Sequence, residues 1–172
     1  MDKTKQKIAF SFLIAIFLAA FEGVVVSTAA PVIVKSLHNF KMISWIFSIF
    51  LLTSAISTPI YGKLADLYGR KRIFMIGISI FLFGSLLAGL SQTMHQLIIF
   101  RGIQGIGAGA IFTIGFTMIG DIFTLEERSI IQGAISTIWG IAGLVGPLLG
   151  GFLIDYLSWQ WIFFINIPFG LL

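Results

Sequence analysis

The chain has 172 residues, of which 58% are hydrophobic and only 10% charged, with a formal net charge of +4 and no cysteine. Soluble domains are about 45–50% apolar and about 25% charged, so a water-soluble globule is excluded and a membrane protein indicated. A disulfide framework and thiolate chemistry are excluded as well. The cations lie in short gaps between apolar runs and form no solvated basic face, so no nucleic acid is expected as a partner.

Five apolar runs are long enough to cross a bilayer, which takes roughly 20 residues. They lie near 8–34, 43–61, 73–90, 96–120 and 130–157. A sixth, 161–172, breaks off after about 12 residues, roughly 18 Å of helix, short of a hydrocarbon core of about 30 Å. The expectation is an all-α polytopic bundle of six helices whose last one is truncated, a piece of a longer chain. The first run follows Lys3, Lys5 and Lys7 and ends near a small-residue "STAA". It is much longer than the about 7–15 residues of a secretory signal core, so it reads as a span.

With the N-terminus in the cytoplasm, Lys3, Lys5, Lys7, Lys63, Arg70, Lys71, Arg72 and Arg128 fall on the cytoplasmic side, and only Lys35 and Lys41 outside. That asymmetry predicts an N-inside topology, with cytoplasmic loops at 62–72 and 121–129. Tyr156, Trp159 and Trp161 are expected at the outer interface, where amphipathic rings anchor.

Three features are costly in lipid. Glu22 stands near the middle of the first span, where a carboxylate costs about 2.5–3.5 kcal/mol, so it is either a candidate proton carrier with a partner or cavity beside it or a structural carboxyl, protonated or hydrogen-bonded between helices, and the first is favoured. Arg101 lies in the fourth span with Gln104 one turn on. It can either snorkel to the outer interface or point into protein, where Gly102, Gly105 and Gly109 leave room for a neighbouring helix. The fifth span sets Gly133, Ser136, Gly140, Gly143, Pro147 and Gly150 on one face, a surface for close helix contact or sliding, with Gly143 and Gly146 expected in a tight interface. His38 and His95 have no carboxylates at metal-binding spacing, no nucleophile motif occurs, and neither metal nor cofactor is expected.

Taken together the motifs resemble the major facilitator superfamily. "GKLADLYGRKR" is similar to its loop between helices 2 and 3, at Gly62, Leu64, Asp66, Gly69, Arg70 and Lys71, with Leu67 where a second basic residue is usual. "RGIQGIG" is similar to the fourth-helix motif at Arg101, Gln104, Gly105 and Gly107. "GPLLGG" resembles the fifth-helix antiporter motif at Gly146, Pro147, Gly150 and Gly151, with Ala142 where glycine is common. "FEGVVVSTAAP" and "WQWIFFINIPFG" resemble the fourteen-helix drug:proton antiporter branch, with Glu22 at an Asp position and Val24 and Ser27 replacing Thr and Asn.

The resemblance implies the N-terminal six-helix half of a proton-coupled multidrug exporter, built from nested three-helix repeats in a bacterial plasma membrane. Its partners would be small-molecule drugs, protons, the lipid bilayer and the missing C-terminal half. Glu22, Arg101 and Gln104 would bind proton or cationic drug. Gly62, Asp66, Gly69, Arg70 and Lys71 would gate the cytoplasmic side, with Asp66 latching the other half or pairing with Arg70 four residues on. Two other classes stand beside this one. A non-transporting receptor or assembly partner of the same fold needs no Glu22, and a membrane enzyme lacks its nucleophile here.

Overall fold

A computed structural model describes residues 3–170; the expected end of the sixth span, 171–172, lies outside the described residues. The main elements are α1 (Lys3–Leu37), α2 (Ile43–Tyr68), α3 (Arg70–Gly89), α4 (Met94–Ile122) and α5 (Leu125–Tyr156), followed by two short helices, α6 (Trp161–Phe164) and α7 (Asn166–Gly170). A 3-10 turn, Phe40–Met42, leads into α2. Five helices are long and apolar enough to cross a membrane. The all-α expectation holds; each of these five helices is longer than the apolar run that announced it, while the sixth run is broken at Ile165 into two short helices.

The connections are shorter than expected because polar residues extend the helices. The 62–72 stretch is almost wholly helical: α2 runs to Tyr68, Gly69 alone breaks it at φ +87°, and α3 starts at Arg70. A left-handed residue at such a break is natural for glycine and strained for others. The expected loop 121–129 shrinks to Phe123 and Thr124. There the Thr124 hydroxyl accepts from the Glu127 amide at 3.3 Å while the Glu127 carboxylate accepts from the Thr124 amide at 3.1 Å. This reciprocal cap starts α5 five residues before its apolar run. Arg128 donates to the carbonyls of Gly120 and Phe123 and so closes the C-terminus of α4.

The packing follows a doubled pattern. α4 lies against α2 and α3, while α1 lies against α5 and the α6–α7 segment. Each three-helix unit therefore lends its first helix to the other unit's second, the arrangement expected of nested repeats. Small residues permit the close crossings. A methyl group built on Gly109 would fall 2.7 Å from the Ser54 carbonyl of α2, and one on Gly107 2.6 Å from the Gly77 carbonyl of α3. Ser57 also donates across the α2–α4 contact to the Ile106 carbonyl at 3.3 Å. Such contacts bring backbones together where lipid offers no hydrophobic drive.

Two apolar clusters result. One, toward the 62–72 end, gathers Phe12, Ile16, Phe74, Phe81, Ile111 and Ile114; the other gathers Val25, Ile33, Ile46, Leu97, Ile162 and Phe163. Trp159 belongs to the second cluster, edge-on to Phe163 with ring centroids 6.3 Å apart, so it is a core residue and not an interfacial anchor. Tyr156 and Trp161 are exposed as expected.

A buried polar network at mid-span

The clusters meet at a polar layer. On α3, Ser85 stands between Phe81 of one cluster and Ala88 of the other; on α4, Arg101 and Gln104 stand between Leu97 and Ala108. Glu22 of α1 enters the same level, and Asn166 of α7 completes it. Glu22 and Arg101 are each 2% exposed, and Gln104, Ser85 and Asn166 are 0% exposed.

The layer forms around the carboxylate. Arg101 Nη1 pairs with Glu22 Oε1 and also donates to Gln104 Oε1 at 2.7 Å. Glu22 Oε2 accepts from Gln104 Nε2 at 2.6 Å and Asn166 Nδ2 at 2.8 Å. Asn166 Nδ2 also lies 2.9 Å from Ser85 Oγ, which donates to the Phe163 carbonyl at 2.8 Å. Arg101 Nε reaches the Ile46 carbonyl at 3.4 Å, and its guanidinium carbon sits 4.2 Å from the Phe50 ring centre and 5.9 Å from that of Phe163. Four helices from both repeats thus converge on one acid. Burial of this kind is tolerable only because charge and hydrogen bonds are met together.

Backbone proximity sets the register. A methyl group on Gly84 would fall 2.6 Å from the Gln104 amide nitrogen, so α3 presses on α4 at the level of the network. Arg101 lies two turns inside α4, which begins at Met94, and it points into protein; the snorkelling alternative is set aside.

The expected site residues therefore divide. Glu22, Arg101 and Gln104 come together. Asn166 and Ser85 join them without having been singled out, although Asn166 stands in the quoted "WQWIFFINIPFG". Its signal was a lone amide in an otherwise apolar run, which costs free energy in lipid unless it is bonded.

The gating set gathers at the end of the bundle, without the internal latch. Asp66 is exposed, and among the described residues it has no hydrogen-bond or ion-pair partner. The Asp66–Arg70 pairing is corrected, because the break at Gly69 separates the two on different helices. Arg70 instead pairs with Asp121 at the end of α4 and donates to the Thr117 carbonyl at 3.1 Å. Lys71 is exposed, and Gly62 lies close to Thr113. Lys5 reaches Glu127 at 3.2 Å and joins the starts of α1 and α5.

The antiporter-motif helix also divides. Methyl groups on Gly146 and Gly150 would meet Val24 Cβ at 3.0 Å and Val25 Cγ1 at 3.2 Å, so these glycines make the α1–α5 contact. Gly133, Gly140, Gly143 and Gly151 would meet nothing within 4 Å, and Pro147 is exposed. Of the small-residue face only Gly150 meets α1; the rest is rotated away from it, and the tight contact expected of Gly143 is not made among the described residues. The inward face carries Ile135, Ala142, Gly146, Gly150 and Leu153.

The profile of the Major Facilitator Superfamily matches residues 12–172, and the chain belongs to that superfamily of membrane transporters. It is 43% identical over 178 residues to "Multidrug resistance protein 3" of Bacillus subtilis (strain 168), covering 100% of this chain and 35% of the relative. It is 44% identical over 160 residues to "Multidrug transporter protein MdtP" of the same organism, covering 93% and 30%. Among solved structures, a D-xylose-proton symporter superposes with a TM-score of 0.79 over 95% of this chain and 45% of that one, at 16% identity, a likeness of fold. The chain spans about a third of the length of the curated relatives it matches. The family and fold expected from the motifs both hold.

Proposed function

We propose that the chain is the N-terminal half of a proton-coupled multidrug exporter, N-terminus in the cytoplasm of a bacterial plasma membrane, with Glu22 as the carrier of the coupling proton. The observation that supports this reading most is the mid-span network, in which an acid, a base and two amides from both repeats close on one another out of water. The relatives named for multidrug resistance and transport support drugs as the cargo.

In this reading Arg101 is the partner of Glu22 before the proton arrives, and a proton on Glu22 frees the guanidinium to favour other contacts. Glu22 is too buried to touch a drug in this arrangement, so drug and proton compete through Arg101 and the packing of α1 and α4. Asp66, Gly69, Arg70 and Lys71, beside Gly62, gate the cytoplasmic side against the C-terminal half. Gly143, Gly146, Pro147, Gly150 and Gly151 form the helix on which the halves rock.

The test is dye efflux by the full-length transporter in everted vesicles under an imposed pH gradient. Glu22→Gln is expected to cripple export of cationic dyes and to affect neutral ones less. Export by Glu22→Gln at the wild-type rate with unchanged pH dependence would make the residue structural only. For orientation, single cysteines at Ser129 and Gln92, both exposed, are challenged in whole cells with an impermeant maleimide. Gln92 should label and Ser129 should not; the reverse overturns the N-inside topology.

A further inference from the structure

We propose that Asn166 is a positioning residue for the proton on Glu22: its side-chain amide turns over when the carboxyl is protonated and presents oxygen where it had presented nitrogen. This rests on the reading of Glu22 as the proton carrier.

The argument is a count of donors and acceptors. An ionised carboxylate only accepts, and every contact to Glu22 is a donor: Arg101 at Oε1, Gln104 Nε2 and Asn166 Nδ2 at Oε2. When a proton arrives from water and forms an O–H bond on Glu22, that oxygen becomes a donor facing donors. On Oε1 it would face the guanidinium. On Oε2 it faces two amide nitrogens, and one of those amides must offer its oxygen or leave a buried O–H unmet, which is costly away from water.

Gln104 is not free to turn. Its Oε1 accepts from Arg101 at 2.7 Å, and turning would set an NH2 group against the guanidinium. Asn166 is less constrained. Among the described residues its buried Oδ1 accepts from nothing, so turning gives up no bond of the oxygen and exchanges the two that Nδ2 donates, to Glu22 Oε2 and Ser85 Oγ, for two that Oδ1 can accept from the Glu22 and Ser85 hydroxyls. Buried amide oxygens without partners are rare in native interiors, and this one sits on the residue that touches the ionisable group. Ser85 suits both states. Its hydroxyl oxygen accepts from Asn166 Nδ2 while its proton goes to the Phe163 carbonyl, and after rotation the same proton can go to Asn166 Oδ1. Arg101 keeps Gln104 Oε1, the Ile46 carbonyl and the Phe50 face when Glu22 is neutral. Among the described residues, Arg101 from α4 is the one charged group acting on Glu22; Gln104 of α4 and Asn166 of α7 bond it directly, and Ser85 of α3 bonds Asn166.

Infrared difference spectroscopy of the full-length transporter in membranes, neutral against acid, tests this directly. Asparagine is labelled with carbon-13 at the side-chain carbonyl. Subtraction of Asn166→Ser, or of Asn166→Leu if the serine variant does not fold, isolates the Asn166 band, and Glu22→Gln identifies the carboxyl band. On acidification the Asn166 carbonyl stretch is expected to fall in frequency, because a free oxygen becomes hydrogen-bonded, and the shift should vanish in Glu22→Gln. A Glu22 carboxyl band that appears while the Asn166 band stays put makes Asn166 a fixed donor and overturns the inference alone. Absence of any protonated Glu22 band overturns the proton-carrier reading, and the inference with it.

Discussion

Among the described residues, two arginine–carboxylate pairs join helices, and their surroundings could hardly differ more. Glu22–Arg101 lies between the apolar clusters, both side chains 2% exposed, with amides, a backbone carbonyl and aromatic rings around it. Arg70–Asp121 lies at the end of the bundle, with side chains 29% and 50% exposed and a single further bond to Thr117. Water and salt screen the second pair and are excluded from the first. The same chemistry therefore serves as a committed network at mid-span and as a loose tie at the edge, which suits a proton site and a gate respectively.

The largest expected effect comes from orphaning one partner of the inner pair. Arg101→Ala leaves a carboxylate buried among amides, and loss of one member of a buried pair costs about 3–5 kcal/mol. The full-length protein should unfold at a markedly lower temperature in detergent and accumulate poorly in membranes. The double variant Glu22→Gln with Arg101→Gln removes both charges and is expected to be more stable than Arg101→Ala alone, though inactive. A double variant no better than the single one would mean that the pair's charges are not what holds the layer.

What was legible in the sequence follows the same division. Charge in an apolar run is conspicuous, so Glu22, Arg101 and Gln104 stood out, as did the five spans. Asn166 and Ser85 did not, since an amide or hydroxyl in a span carries little signal until its partners are known, and those lie 144 and 81 residues away along the chain. Helix ends escape the apolar pattern where polar residues continue the helix: the Thr124–Glu127 cap and the single break at Gly69 turn two expected loops into helix. The small-residue stripe on α5 was visible, but spacing alone cannot say which side of it meets α1.

That stripe supplies an intermediate effect. A leucine at Gly146 has to displace Val24, and overpacking of this kind costs about 1–3 kcal/mol. A leucine at Gly143 enters space that this half leaves open, and its effect on the α1–α5 contact should stay within about 0.5 kcal/mol. Cysteine pairs bridging α1 and α5 would report the difference: Gly146→Leu should slow cross-linking and Gly143→Leu should leave it unchanged. Equal effects would place both glycines on one interface. Loss of transport in Gly143→Leu with α1–α5 cross-linking intact would assign that glycine to a contact outside this half.

The smallest effect is expected at the outer pair. Asp121→Asn removes the carboxylate but leaves Arg70 its bond to the Thr117 carbonyl, and exposed pairs contribute about 0.2–1 kcal/mol. Thermal unfolding of the full-length protein should therefore shift only slightly. The shift should shrink further as salt is raised, because counter-ions already screen the wild-type pair. Asp66→Asn should not move stability at all within this half, since among the described residues the side chain has no partner. Transport separates the two residues from a purely structural role. On the proposed reading a gate of weak ties opens in every cycle, so loosening one should alter the transport rate more than the unfolding temperature. A loss of stability at Asp121→Asn as large as that at Arg101→Ala, unaffected by salt, would show that the outer pair is as closed to water as the inner one and would erase the contrast between them.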